Sequence, residues 1–196
     1  MSELPTLPDY LRPGLDVVFV GINPGAYSAQ VGKYFATPQN RFWRAFNRSG
    51  LAPSERDLGP GDEARLPQLG IGFTDVVKRP SNSASSLRAA DFRTWAPRTC
   101  AKLLEAAPLI VCFNGLTGYK WFRQYGDPGP QPRSADAPPP WKAAKLGLQP
   151  ETLGRSRMFV APNPSPANAS YSLDDIAEWF RRLADLRDEL KTARNG

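Results

Sequence analysis

The sequence predicts an α/β protein of three layers (αβα), in which a central, mainly parallel four-stranded sheet is covered by helices on both faces. Short apolar runs alternate with helical patterns along the chain, which is typical of parallel sheets. Each apolar run is followed by a polar, turn-forming segment. The length of 196 residues suits a single domain over residues 1–196.

Four apolar runs predict the strands, and each has the composition of a strand buried on both faces. They cover residues 16–22, 71–77, 108–114 and 157–162. Parallel sheets of this kind bind ligands at the carboxyl ends of their strands. We therefore expect the segments that follow the strands to meet along one edge: Gly21–Gly25, Lys78–Ser81, Asn114–Gly115 and Asn163–Asn168.

The remaining segments predict helices and loops. Helical patterns cover residues 40–51, 92–106, 118–125 and the chain from Leu173 onward. The last helix is the clearest, because Ser172 can cap it and acidic side chains occupy its first turn. Residues 1–15 indicate an irregular lead-in, and the proline-rich residues 126–141 indicate a loop that is free to move.

The composition excludes several kinds of chemistry. The chain has no histidine, which removes Ser-His-Asp and Cys-His catalysis and nearly every zinc site. Its two cysteines, Cys100 and Cys112, are too few for an iron–sulfur cluster and are interpreted as small hydrophobic residues. We expect neither a metal nor a cofactor. No signal-peptide pattern or membrane-length apolar run is present, so we expect a cytoplasmic protein without membrane contact.

The charge favours a polyanionic partner. The net charge is +6 and the pI is about 9.5, a balance that suits nucleic acid but also occurs in many cytosolic proteins. Basic residues are concentrated between residues 33 and 48 and between residues 78 and 98. From these segments, Arg41, Lys78 and Arg79 are predicted to contact phosphates.

The segment Gly21-Ile-Asn-Pro-Gly25 is the first motif that carries chemistry. Pro24 and Gly25 bend the chain sharply, so that Asn23 points from the turn into the expected cleft. Taken alone, such a segment is more often a simple Asx turn.

The neighbouring residues point to a family. Residues 18–51, which run from Val-Phe-Val-Gly-Ile-Asn-Pro-Gly25 through Asn40-Arg-Phe-Trp-Arg44, closely resemble the mismatch-specific uracil/thymine DNA glycosylase family. The segments Gly72–Pro80, Phe113–Gly115 and Pro162–Ser165 match in the same order and spacing. The resemblance covers about residues 16–185. It implies a monofunctional enzyme that flips uracil out of mismatched double-stranded DNA, such as a G·U pair, and hydrolyses its N-glycosyl bond. An abasic site remains.

The resemblance also implies roles for particular residues. Asn23 positions the attacking water, Phe35 stacks on the flipped base and Asn40 fixes the pocket. The base pocket includes Ile22, Gly25, Ser28, Phe35 and Asn40. The DNA contacts include Arg41, Lys78, Arg79, Asn114 and Gly115, together with an insertion loop formed by Asn163, Ser165, Pro166, Ala167, Asn168 and Ala169. Core packing remains an alternative for Phe35, and a helix N-cap for Asn40, where both uses are compatible.

These residue types suit the chemistry. N-glycosyl cleavage is largely dissociative and separates charge between the sugar and the departing base, so the site needs oriented dipoles and a placed water. Backbone N–H groups between Ile22 and Gly25 can hold a base carbonyl, and Phe35 offers a stacking surface. Flipping a base costs a few kcal/mol and less at a mismatch, which favours wobble pairs.

The sequence departs from the family in two places. Asp75 stands where the family usually carries Asn or Lys, and a carboxylate there can accept a proton from water. The alternative is a surface ion pair with Lys78 or Arg79. In the insertion loop, Ala167 replaces a bulky wedge, so displacement of the base is weak or Pro166 shares it.

Three other interpretations remain open at this stage. A neighbouring branch of the uracil-DNA glycosylase superfamily fits less well, because those branches need a catalytic Asp in the first motif, a histidine or four cysteines. A non-catalytic nucleic-acid-binding module would have no reason to keep Asn23, Phe35 and Asn40 together. A nucleoside hydrolase would need neither the basic face nor the insertion loop. Glycosylases of this type need no partner subunit, so a monomer is expected.

Overall fold

The computed structural model describes residues 5–127 and 140–195 and confirms the α/β class. A five-stranded sheet forms the centre, and helices cover both of its faces. The strands are β1 (Val17–Gly21), β2 (Ile71–Asp75), β3 (Ile110–Asn114), β4 (Gly147–Leu153) and β5 (Ser156–Ala161). The helices are α1 (Ala26–Val31), α2 (Phe42–Asn47), α3 (Ala89–Ala106), α4 (Leu116–Tyr125) and α5 (Leu173–Asn195).

The strand order is β2-β1-β3-β5-β4, and every neighbouring pair is parallel except β4 and β5. The prediction of four strands was therefore wrong by one, because β4 was missed. This strand pairs on one side only, alternates buried and exposed residues, and carries Pro150 at an irregularity in its register. An edge strand of this kind has no continuous apolar run to reveal it.

The alternation of side chains along the central strands divides the core into two halves. Phe19 and Cys112 point to the face covered by α2 and α5, whereas Val18 and Phe113 point to the face covered by α3 and α4. All five residues of β1, β2 and β3 are buried. Burial on both faces explains why these strands were recognisable as apolar runs. Cys100 and Cys112 are buried free thiols, which confirms their interpretation as hydrophobic residues.

The helix boundaries differ from the predicted ones mainly at turns. The helix predicted for residues 40–51 is only Phe42–Asn47, and the short helix Ala26–Val31 was not predicted. The start of α5 was predicted correctly: the Ser172 Oγ accepts from the Asp175 backbone N–H at 3.1 Å, and the Asp175 carboxylate accepts from the Ser172 N–H at 2.7 Å. These reciprocal bonds form a capping box.

The described part of the lead-in packs against the sheet. Tyr10 exchanges two backbone hydrogen bonds with Phe73 in β2, at 2.9 and 3.2 Å, and Leu7 is buried. Most of the loop predicted for residues 126–141 lies outside the described residues. Within the described ranges, no helix is long and apolar enough to cross a membrane.

Candidate active site

A cleft of about 360 Å³ opens at the carboxyl ends of the four parallel strands. Because these ends lie along one edge of the sheet, the cleft wall contains a segment from the end of each strand. These segments include Gly21–Gly25 after β1, Ser81–Ala84 after β2, Asn114 at the end of β3, and Asn163 and Ser165–Ala167 after β5.

Asn23 lies in the cleft wall, and its amide has a fixed orientation. Its Nδ2 donates to the Pro24 carbonyl at 3.1 Å, the Arg79 carbonyl at 3.0 Å and the Ser81 hydroxyl at 2.8 Å. Carbonyl groups cannot donate, so this end of the amide must be the NH₂ group. No donor in the described part of the chain is bonded to Oδ1. That oxygen is therefore the free end of the amide and can accept a hydrogen bond from water.

Ser81 holds Asn23 in this orientation, and sequence reasoning assigned it no role. Its hydroxyl donates to the Ser83 carbonyl at 2.9 Å and therefore presents a lone pair to Asn23. The backbone of Ser81 is hydrogen-bonded to the turn after β1. Its N–H donates to the Pro24 carbonyl at 3.1 Å, and its carbonyl accepts from the Ala26 N–H at 3.0 Å. The only sequence signal was its position in a turn after a buried strand.

Asp75 lies in the wall of the same cleft, beside Gly21. These two residues are partners in the register of β1 and β2. A Cβ on Gly21 would lie 2.3 Å from Asp75 Oδ1, so a side chain at position 21 would displace the carboxylate. Asp75 is 3% exposed, and its Oδ2 has no hydrogen-bond partner among the described residues.

The ion pair considered for Asp75 is present with Lys78 only as a long contact, and it is buried instead of lying at the surface. The Lys78 Nζ is 3.9 Å from Asp75 Oδ2 and is itself buried, whereas Arg79 binds Asp91. Burial raises the pKa of Asp75 to about 6, although the neighbouring Lys78 ammonium and Tyr34 hydroxyl act in the opposite direction. A carboxylate with such a pKa is ionised at neutral pH and is a better proton acceptor than an exposed aspartate.

Phe35 presents an aromatic surface to the cleft. Its ring stacks on Phe42 with centroids 4.0 Å apart and planes 14° from parallel, so part of the ring is held by core packing. Phe35 is only partly buried and also lines the cleft. Its φ of 53° lies in the left-handed region, which costs about 1–3 kcal/mol and is often found at functional sites.

A buried carboxylate helps to hold the turn that contains Phe35. Glu63 accepts from the Tyr34 backbone N–H at 3.1 Å and from the Gly61 N–H at 2.6 Å. The Ser28 Oγ accepts from the Ala36 N–H at 3.1 Å on the other side of the same turn. The position of the aromatic ring is therefore set by hydrogen bonds from two other segments.

Asn40 lies in the cleft wall next to the start of α2, but the N-cap position itself is occupied by Arg41. The Asn40 Oδ1 accepts from the Phe42 backbone N–H at 2.9 Å. Because Oδ1 is engaged, the Nδ2 group is left to donate to a ligand. Ile22 and Gly25 complete the predicted pocket, and a Cβ on Gly25 would meet no atom within 4 Å.

The segment after β3 contributes an unpartnered amide. Asn114 is 5% exposed, and neither its Oδ1 nor its Nδ2 has a hydrogen-bond partner within the described ranges. A buried amide of this kind in a cleft wall can offer both a donor and an acceptor to a polar ligand. Gly115 is buried, and a Cβ there would lie 3.1 Å from the Cβ of Asn163. Gly115 therefore allows the end of β3 to pack closely against Asn163.

The predicted insertion loop is held by Arg41, which corrects the role expected for that residue. The Arg41 guanidinium donates to backbone carbonyls at 2.6 Å for Ser165 and 2.7 Å for Asn168, and also to those of Pro164 and Tyr171. With its donors used in this way, Arg41 fixes the loop instead of binding a phosphate.

The loop is also bonded internally and leaves its tip exposed. The Asn163 Oδ1 accepts from the Ser165 N–H and the Asn163 carbonyl accepts from the Asn168 side chain, both at 2.9 Å. Pro166, Ala167 and Ala169 are exposed.

Two predicted phosphate contacts are engaged elsewhere. Lys78 is 6% exposed and forms an ion pair with Asp9, so its predicted contact with DNA is wrong. Arg79 is half exposed, and its guanidinium binds the Asp91 carboxylate at 2.8 and 2.9 Å. A run of basic residues in a sequence does not reveal which of them already have acidic partners.

The fold and the cleft define a class of protein: an α/β domain that places oriented amides, a carboxylate and an aromatic ring at the carboxyl edge of its sheet. Residues 8–187 match the family model of the uracil DNA glycosylase superfamily. The chain belongs to this superfamily and is therefore assigned as a DNA glycosylase, an enzyme of base-excision repair that acts on DNA.

The fold also resembles a solved structure. The solution NMR structure of a Methanosarcina acetivorans protein, provisionally assigned as a uracil DNA glycosylase, aligns with a TM-score of 0.58 at 20% identity. The alignment covers 93% of this chain and 99% of that one. At this level of identity the likeness concerns the fold alone.

Proposed function

We propose that the protein removes uracil, and some 5-substituted pyrimidines, from mismatched double-stranded DNA by monofunctional hydrolysis. The observation that carries this proposal is the Asn23 amide, whose NH₂ group is bound by three acceptors and whose Oδ1 remains free in the cleft wall. A preorganised amide of this kind can hold a water without reorganising during the reaction.

The other cleft groups have complementary roles. Phe35 stacks on the flipped base, and the Nδ2 of Asn40 donates to a base carbonyl. Asp75 accepts the proton of the water that Asn23 orients, so that the water attacks the sugar cation as the N-glycosyl bond breaks. No lysine lines the cleft in the described part of the chain. The described cleft wall therefore offers no lysine amine for a Schiff base, which supports hydrolysis without strand cleavage.

The first test is excision from a labelled duplex that contains one G·U pair, followed by alkali to cut the abasic site. We expect alkali-dependent cleavage that persists in excess EDTA and gives no covalent complex with borohydride. The matched G·C duplex is the control. Strict metal dependence, or a trapped covalent complex, would contradict the proposed monofunctional hydrolysis.

The second prediction concerns the 5-position of the base. Selection against one methyl group by binding alone reaches only about 1–3 kcal/mol unless a bulky group blocks it. Gly25 offers no such group, and its backbone (φ −66°, ψ 146°) accepts any residue. We expect cleavage of 5-fluorouracil or 5-hydroxymethyluracil opposite guanine, and Gly25→Tyr should narrow this range towards uracil.

Tyr27 is the matched control for the Gly25 substitution. It lies only two residues after Gly25, but it is 49% exposed and does not line the cleft. Tyr27→Ala should leave the relative rates on uracil and its 5-substituted analogues unchanged. A parent enzyme restricted to uracil, with a range that Tyr27→Ala widens, would transfer the role of gate to Tyr27.

A further inference from the structure

A buried group of charged residues lies behind the cleft, and its centre is Lys78. The Lys78 ammonium forms an ion pair with Asp9 of the lead-in and donates to the Leu7 carbonyl at 3.1 Å and to the Tyr34 hydroxyl at 3.3 Å. Asp75 Oδ2 is farther away, at 3.9 Å. A lysine ammonium has three N–H donors, and these three nearer acceptors use them all.

Asp75 Oδ2 is consequently left without a hydrogen-bond partner among the described residues, although a cation lies nearby. The other acceptors near Lys78 are themselves fixed. The Tyr34 hydroxyl donates to the Pro8 carbonyl at 3.1 Å, and Asp9 also binds the Thr74 hydroxyl at 2.6 Å. The ammonium therefore has no free donor to offer Asp75.

We propose that Asp9 and Lys78 are positioning residues that keep the Asp75 Oδ2 free of a hydrogen bond from the ammonium and available as a proton acceptor. Asp9 draws the ammonium away from Asp75, while the remaining positive charge still favours the ionised carboxylate. The consequence for catalysis rests on the proposed role of Asp75, whereas the arrangement of charges does not.

The titratable groups that face Asp75 come from three segments. Lys78 follows β2, Tyr34 lies in the turn after α1, and Asp9 belongs to the lead-in; Lys102 of α3 reaches Asp9 at 2.7 Å. The pKa of Asp75 is raised by burial, lowered by Lys78 and Tyr34, and raised slightly by Asp9. The two positioning residues thus act on the pKa in opposite directions.

The test is a carboxyl ¹³C NMR titration of Asp75 in the full chain, assigned by comparison with Asp75→Asn. Lys78→Met removes the cation, so the midpoint should rise by about one pH unit. Asp9→Asn frees an N–H of Lys78 for Asp75 and removes a negative charge, so the midpoint should fall by about one pH unit. Lys102→Ala, which removes the other cation on Asp9, is the control and should leave the midpoint at the parent value.

Opposite shifts support the proposal, because general loosening of the structure would move both variants in the same direction. Midpoint shifts of the same sign, or no shifts, overturn it. If one variant fails to fold, the other still tests the proposal through the direction of its own midpoint shift. The pH dependence of uracil excision is measured on the same proteins. If the NMR midpoints shift as expected while the acidic limb of the rate profile does not follow, the positioning role stands and the catalytic role of Asp75 falls.

Discussion

Asn23→Ala should lower single-turnover excision of uracil opposite guanine by on the order of 10²–10³, with DNA binding nearly unchanged. This is the loss expected when one preorganised polar group is removed from a site that stabilises separated charge. The amide is held by three acceptors in the ground state, so its orienting effect costs no rearrangement during the reaction. The rate is measured with enzyme in excess over a labelled duplex, and binding is measured on a duplex with an uncleavable uracil analogue.

Ser81→Ala tests whether the orientation of the Asn23 amide matters, because the amide itself remains in the protein. The variant keeps Asn23 and its bonds to the Pro24 and Arg79 carbonyls but removes the shortest of the three. We expect a smaller loss of rate, about fivefold, as for one hydrogen bond of about 1 kcal/mol. An Asn23→Ala enzyme that cleaves at the parent rate would show that Asn23 does not orient the water.

The elements that could be predicted from the sequence are those whose signal is local. The central strands are buried on both faces and therefore appear as apolar runs, and α5 carries its own cap at Ser172. The edge strand β4 has neither property, since solvent replaces one neighbour and allows polar residues such as Glu151 and Thr152. The strand β4 was missed because it is defined by its pairing with β5, and a short stretch of sequence does not show such pairing.

The same distinction applies to the candidate site. Asn23 and Phe35 were found through linked motifs, and the topology explains why the segments that follow separate strands meet. The contacts of Arg41, Lys78 and Asp9 join segments that are far apart in the chain. From charge alone, Arg41 and Lys78 were predicted to bind phosphates, and Asp9 was given no role. The sequence shows that each of these residues is charged, but it does not show which group each charge binds.

Asp75→Asn should slow uracil excision by on the order of 10², the usual contribution of a general base. It should also abolish the acidic limb that we expect in the rate profile of the parent near pH 6, because the group that titrates there is gone. Rates of the parent and of Asp75→Asn on the G·U duplex are measured across the pH range in which both proteins remain folded. A limb that persists in Asp75→Asn would assign the titration to another group.

The same substitution should make the protein more stable at neutral pH, and the sign follows from the pKa. Burial raises the folded-state pKa of Asp75 from 3.8 to about 6, so the native state binds a proton that the unfolded chain has already released. The parent therefore loses stability as pH rises from about 4 through 6, where the buried carboxyl becomes charged. Asn cannot ionise, so the advantage of the variant should grow over this interval to on the order of 2 kcal/mol. Denaturant unfolding at the two ends of the interval measures it.

Gly21→Ala provides an independent route to the same conclusion. The added Cβ would lie 2.3 Å from Asp75 Oδ1 and must push the carboxylate from its place, but the carboxyl group remains in the protein. We expect excision to fall as in Asp75→Asn without the gain in stability at neutral pH. Gly59→Ala is the matched control, because a Cβ there meets no atom within 4 Å and the rate should stay at the parent value. Equal rates for Gly21→Ala and the parent would mean that the carboxylate can act from elsewhere or does not act, and the pH profile of Asp75→Asn decides between these two outcomes.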